Sequence, residues 1–318
     1  MFYPIRAKRY SLFLAIFLGA CGVQQPQVVD SSFVIEAAAP AYPSGEGPIV
    51  LIDEGHYNFH TADGRYRPFA DLLRSDGYVV QPLNSKFTRT SLAQGRILLI
   101  ANALAEKNVD DWSLPNHPAF TDTEVDAVAA WVAEGGALLL IADHMPMPAA
   151  AAKLAEVFGV RFENGYAIRR GFESPRPPIV FDRASAGLRD HAITRGRHAG
   201  ERIDSVATFT GQAFRVEDNV TESNFAPLLV FGPSTELLYP EKPAVFTNST
   251  ERVNIEGWYQ GLAMSFGKGR IAIFGEAAMF SAQFLGEERR PMGMNSPVAK
   301  QNAQFALNTM HWLSKLLD

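Results

Sequence analysis

Cysteine is almost missing from this chain: one residue in 318, Cys21, carries a thiol. That single count rules out a disulfide framework and a cysteine-built zinc site. Positive charge is short as well, with 29 Lys and Arg against 34 Asp and Glu and a formal net charge of −5. No basic stripe interrupts that balance, so nucleic acid is not an expected partner. The sequence has no G-x-S-x-G elbow and no P-loop, which removes two common catalytic templates. It has no internal repeats. Gly267-Lys268-Gly269-Arg270 imitates a dinucleotide fingerprint, but it enters a strand instead of leaving one, and a tight turn accounts for it.

Long apolar runs are scarce too. The run "SLFLAIFLGA" (residues 11–20) is too short to span a bilayer. Preceded by Arg6, Lys8 and Arg9, it reads as a secretory signal over residues 1–20. Leu18-Gly19-Ala20-Cys21 resembles a bacterial lipobox, in which the cysteine is lipidated and becomes the mature N-terminus. Gly22 in the next position, by resemblance to known lipoproteins, favours the outer membrane facing the periplasm. On this reading 26 basic and 34 acidic residues remain, a net charge of about −8. With Cys21 lipidated, no thiol is left for nucleophilic chemistry.

What is present is a normal globular balance, 47% hydrophobic and 20% charged. Residues 21–47, rich in Gln, Pro, Ala, Ser and Gly, read as a tether. From 48 to 318 the pattern is that of a single α/β domain. "IVLID" (49–53), "RILLIA" (96–101), "ALLLIA" (137–142) and the run at 270–275 are short apolar segments suited to strands covered on both faces. Helices are expected at 66–76, 121–134, 149–159 and, amphipathic, 301–317. The second opens with Thr121 and Glu124, a capping-box pattern. Residues 160–265 are less regular and read as a β-rich insertion. The alternation predicts a flavodoxin-like three-layer sandwich with a mostly parallel central sheet.

Two loops are far longer than sheet closure needs. The first runs from about Glu54 to Arg65 and the second from Asn102 to Phe120. Both leave the carboxyl ends of strands, where open α/β sheets bind ligands. Asp53, Asn102, Asp143, His144 and Glu276 end strands or begin loops there, and His56, His60 and His117 lie in the loops. Asp53, Asp143, His144 and Glu276 are candidates for acid–base chemistry. Glu54, Tyr57, Asn58, Phe59 and Asn102 are candidates for ligand contact, and His56 and His60 for metal ligation. Asp53-x-x-His56-x-x-x-His60 with Asp143-His144 supplies enough nitrogen and oxygen for a zinc or manganese ion. It matches no strict metal signature. Each residue also has a plainer role: the acids can cap backbone amides and the histidines can hold loops.

Several segments together resemble a bacterial family of unknown function with a class I glutamine amidotransferase-like fold: "LIDEGHYNFHT", "DGRYRPFADLLRSDGY", "PAFTDTEVDAVAAWVAEGGALLLIADHMP", "DHAITRG", "FGKGRIAIFGEAAMFSAQ" and "NAQFALNTMHWLSKLL". That family is similar to trehalose-utilisation-like proteins and to the gliding-motility and intraflagellar-transport domain. The resemblance spans about residues 48–317 and implies a flavodoxin-like sandwich. Glutamine amidotransferases carry a nucleophilic cysteine in the turn after a central strand. The matching turn here is Ala142-Asp143-His144-Met145, so amidotransferase activity does not carry over.

Three functions fit these residues. One is a hydrolase, metal-assisted or not, acting on a polar small molecule or glycan. The second is a lipid-anchored protein that binds such a ligand without turnover, with Tyr57, Phe59, Tyr66 and Trp112 as stacking surfaces. The third is an envelope scaffold whose crevice is vestigial.

Overall fold

The computed structural model describes residues 26–173, 176–217 and 225–318. The signal segment and Cys21 lie outside the described residues. The leucine-, isoleucine- and valine-rich runs form strands β1 (Ile49–Asp53), β2 (Val79–Leu83), β3 (Ile97–Ala101), β4 (Ala137–Ile141) and, late in the chain, β9 (Gly269–Phe274). Between them lie helices α1 (Arg67–Ser75), α2 (Asp122–Ala133) and α3 (Met147–Val157), and α4 (Asn302–Leu313) closes the fold. Four shorter or later strands complete the main sheet: β5 (Val160–Phe162), β6 (Phe214–Val216), β7 (Phe225–Val230) and β8 (Tyr259–Phe266).

The strand order is β2-β1-β3-β4-β9-β8-β6-β5, with β7 also pairing with β8. The first five strands are mutually parallel and stand in flavodoxin order. The other four ladders are antiparallel. The expectation of a mostly parallel sheet is therefore corrected to a sheet that is half parallel. The reason lies in the 160–265 segment, which joins the main sheet through β5, β6, β7 and β8 instead of standing apart as an insertion. A hairpin turn at Phe266–Gly269 joins β8 to β9, which forces the change of direction.

Alternate residues of the parallel strands serve opposite faces. Val50, Ile52, Leu99 and Leu139 pack with Phe69 and Leu73 of α1 and Phe305 and Met310 of α4. Leu51, Leu98, Leu138 and Leu140 pack with Val125, Val128 and Val132 of α2 and Leu154 of α3. Both faces being covered explains why these strands read as unbroken apolar runs.

Two further expectations change. Helix α4 is not amphipathic in the fold: Asn302, Asn308, Thr309 and His311 are all buried. Segments around residues 193–207 cover its outer side, and its amides answer them. Asn308 Nδ2 donates to the Ile193 and Glu201 carbonyls at 2.8 Å each, and Asn302 Nδ2 to that of Ala207 at 2.7 Å. The second change is at the supposed tether. From Gln27 it is docked: Gln27–Val29 pairs antiparallel with Ala282–Leu285, and Phe33, Ile35, Ala37 and Tyr42 pack against the core. An unpaired strand edge and four apolar side chains outweigh the flexible composition around them.

Candidate ligand site

The loop after β1 is organised from its strand end. Asp53 is fully buried, and its carboxylate accepts from His56 Nδ1 at 2.8 Å, Asn58 Nδ2 at 3.0 Å and the Gly55 amide at 3.2 Å. His56 Nε2 meets Glu124 Oε1 at 2.8 Å. Glu124 is the residue that closes the α2 capping box, so one carboxylate finishes a helix and holds a distant loop. Burial acts to lower the His56 pKa, but the bonds and charges of Asp53 and Glu124 outweigh it and raise it. Burial alone would raise the Glu124 carboxyl, yet His56 and the Thr121 donors pull it down to about 2. Both ring nitrogens then donate to carboxylates, and His56 is an imidazolium wedged between Phe87 and Phe120.

This arrangement corrects several expectations. His56 has no lone pair for a metal, and Asp53 is committed to the loop. Asn58 shares that network, its Oδ1 accepting from the His56 amide at 3.1 Å. Glu54 Oε1 accepts from the Ala62 amide at 2.8 Å, another loop bracket. Among the described residues no group of three His, Cys, Asp or Glu side chains is arranged to hold a metal ion. Asp53 and His56 therefore do not converge with Asp143 and His144. They face the α2 layer.

The second cluster sits between the ends of β3, β4 and β9. Asn102 adopts φ of +51°, a conformation asparagine tolerates better than most residues. From there its Oδ1 accepts from the Asp143 amide at 2.8 Å, and its Nδ2 donates to His60 Nδ1 at 3.2 Å. His60 is buried, stacks beside Tyr66 and faces the Gln283 amide at 3.4 Å. Burial, with the nearby Arg65 charge adding, lowers its pKa to about 3, so it is neutral. Asp143 accepts from the His144 amide at 2.7 Å, the Ala277 amide at 3.3 Å and Thr210 Oγ1 at 3.4 Å. Gly211, at φ of +114°, lets the Thr210 loop approach. A Cβ there would fall 2.3 Å from the Gly275 carbonyl oxygen.

His144 is half-buried and lies flat on Tyr166, ring centroids 4.3 Å apart. Its Nδ1 bonds the Met145 carbonyl at 2.8 Å, which requires the hydrogen on Nδ1 and leaves Nε2 as an acceptor. Burial lowers its pKa, opposed by Asp143, so the ring is neutral. Glu276 goes elsewhere. Its two oxygens accept from the Ala278 and Met279 amides at 2.9 and 2.7 Å, capping the turn after β9. Burial and the Asp143 charge raise its pKa. The expected acid–base role of Glu276 is thus replaced by a cap.

Two spaces result. A small chamber of about 10 Å³, room for about one water, is lined by Asn102, Asp143, His144, His60, Thr210 and Gln283, with Gln27 of the docked segment. Beside it opens a cleft of about 760 Å³, lined by Tyr57, Asn58, Phe59, Arg65, Trp112 and Lys242 among others. Phe59 and Trp112, packed edge to face at 5.3 Å, belong to both and form the partition. His117 stands apart; its amide donates to Asn108 Oδ1 at 2.9 Å within the long loop.

The fold has solved relatives. Over 83% of this chain and 97% of that one, it is similar to the N-terminal domain of mmIFT52, with a TM-score of 0.57 at 15% identity. A ThuA-like protein from Bacteroides uniformis aligns over 87% and 93%, with a TM-score of 0.46 at 14% identity. No family model and no curated protein matches the chain. The first of these two structures corresponds to the intraflagellar-transport likeness read from the sequence, and at 15% identity it speaks to fold alone.

Thr210, Gln283, Gln27 and Arg65 were not singled out by sequence. Thr210 and Gln283 come from irregular or antiparallel segments with no motif to mark them, and Gln27 from a stretch read as tether. Glu124 was seen only as a helix cap, because that role already explained it.

Proposed function

We propose that this protein is an envelope lipoprotein that binds a polar, ring-bearing small molecule or a glycan at the carboxyl edge of its sheet. One observation carries the reading. A cleft of about 760 Å³, within the size range of small-molecule sites, is walled by Tyr57, Phe59 and Trp112 and backs onto the Asn102–Asp143–His144 chamber. Aromatic faces beside a few fixed polar groups suit sugar rings and their hydroxyls. The lipobox-like Leu18–Cys21 segment supports the envelope location. The flavodoxin order of the parallel strands supports a glutamine amidotransferase-like domain without its thiol.

Binding fits better than two-carboxylate hydrolysis, because among the described residues Asp143 is the only carboxylate lining the chamber. A second reading has its own support: neutral His144, with Nδ1 fixed by a carbonyl, presents Nε2 as a base for one water. Calorimetry with a panel of mono- and oligosaccharides, run beside an ester and glycoside hydrolysis screen, separates the two. Trp112→Ala should weaken binding about tenfold, the scale of one lost aromatic contact. If turnover is found, His144→Ala should abolish it while leaving binding within a few-fold. Absence of any binding by folded wild-type protein sinks the proposal.

A further inference from the structure

The cleft wall holds a guanidinium that no carboxylate of the described residues meets. Arg65 stacks on Phe59 with its Cζ 3.7 Å from the ring centroid, and its Nη1 donates to the Phe59 carbonyl at 3.1 Å. Its Nε is buried without a hydrogen-bond partner. No Asp or Glu of the described residues pairs with the guanidinium within 4.0 Å. Two acids share the cleft. Asp111 accepts from the Ser113 amide at 2.9 Å, Asp110 is exposed, and neither reaches Arg65.

Two arginines that are also half-buried, Arg197 and Arg183, are treated differently. Arg197 is clamped by Glu201, and Arg183 pairs with Asp190 and Asp204, each at 3.4 Å. A guanidinium drawn partly out of water is unfavourable unless an anion meets it. Burial lowers the Arg65 pKa, and no carboxylate acts to restore it. Stacking on Phe59 also fixes the plane of the fork, the geometry that reads carboxylate, sulfate or phosphate with two parallel bonds. Lys242 lines the same cleft and adds a second positive charge.

We propose that Arg65 is the anion-reading group of this cleft, and that the ligand is a ring-bearing molecule carrying a carboxylate, sulfate or phosphate. This rests on the reading of the cleft as a small-molecule site and narrows its ligand to acidic members of that class. The aromatic wall takes the ring and Arg65 takes the acid group, with Lys242 contributing long-range attraction.

The test uses the full chain purified in detergent, with galactose, galacturonate, galactose 6-sulfate and galactose 6-phosphate titrated at fixed ionic strength. At least one acidic sugar should bind tenfold or more tighter than galactose, and Arg65→Gln should bring the two within twofold. Equal binding of acidic and neutral sugars by the wild type overturns the inference and leaves the proposed function standing. So does an acidic preference that survives in Arg65→Gln. A second arm needs no sugar. Sodium sulfate should raise the wild-type melting temperature above that in sodium chloride of equal ionic strength, and should not do so in Arg65→Gln. If no sugar binds but this difference appears, anion reading by Arg65 stands and the glycan reading fails. Equal sulfate shifts in the two proteins overturn the inference. Should Arg65→Gln not fold, Arg65→Lys keeps the charge and loses the fork, and the same tenfold preference should shrink.

Discussion

At the scale of single residues, the most consequential is His56, which joins two buried carboxylates across a loop and a helix. Removing it leaves Asp53 buried without a cation and Glu124 with only the Lys86 ammonium at 3.8 Å, at a cost of about 3–5 kcal/mol. The pH dependence follows from its raised pKa. The folded state holds the His56 proton more tightly than the unfolded chain, whose histidines titrate near 6.5. Its contribution is therefore complete below about pH 6.5 and is lost as pH climbs through the raised folded value. Glu124 works in the other direction: its stabilisation is present above about pH 4.5 and fades as pH falls toward about 2. The gap in melting temperature between wild type and His56→Gln should thus be widest near pH 5–6 and shrink on the alkaline side. A gap that does not change from pH 5 to pH 9 would show that His56 is neutral in the fold. His60 has the opposite sign, since burial keeps it neutral and acid favours the unfolded chain. For that reason the wild-type profile alone does not isolate His56, and the variant comparison does.

Among elements, α2 shows how one side chain serves two levels of structure. Thr121 Oγ1 accepts from the Glu124 amide, and Glu124 Oε2 accepts in return from the Thr121 amide. The other Glu124 oxygen accepts from His56 and from the Phe87 amide at 3.2 Å. An ordinary cap is worth about 1 kcal/mol. Thr121→Ala should cost about that much, whereas Glu124→Ala should cost about 3–5 kcal/mol because it also leaves His56 Nε2 and the Phe87 amide buried without an acceptor. Denaturant unfolding of the two variants measures both. Nearly equal losses would mean that the His56 contact contributes little and that the capping box is the whole of the Glu124 role. A double-mutant cycle between His56 and Glu124 gives the coupling directly, since each single change removes the same bond.

For the whole molecule, the docking of Gln27–Val29 beside Ala282–Leu285 brings the start of the described chain to the chamber, where Gln27 and Gln283 both line the wall. Only Gly22 to Pro26 separate Cys21 from Gln27. On the lipoprotein reading, the ligand site then lies close to the membrane surface, since five residues span at most about 18 Å. Cys21→Ser should move the protein from the membrane to the soluble fraction, or leave it with its signal uncleaved. Equal membrane association of wild type and variant would remove the anchor and, with it, the argument for that location.

The parallel half of the fold was legible because its physics is local. A strand covered on both faces must be apolar throughout, a helix start needs a cap, and a glycine ends a helix; "IVLID", Thr121–Glu124 and Gly135-Gly136 carry those requirements in their own residues. Strand ends in such a sheet also foretell where polar residues gather: Asn102, Asp143 and His144 meet at one edge, although Asp53 and His56, expected beside them, turn to the α2 layer. The sequence could not say which way each side chain turns. Asp53, His56 and Glu276 have the same composition of ligand atoms as a site, yet backbone amides and a carboxylate 68 residues away claimed them first. The antiparallel half, the docked segment from Gln27 and the setting of Arg65, which meets no carboxylate among the described residues, depend on parts distant in the chain. A hydrogen bond to a far strand, or the lack of a carboxylate near a guanidinium, leaves no local periodicity to read. Tertiary structure alone decided them, because it alone decides what each polar group meets once water has been excluded.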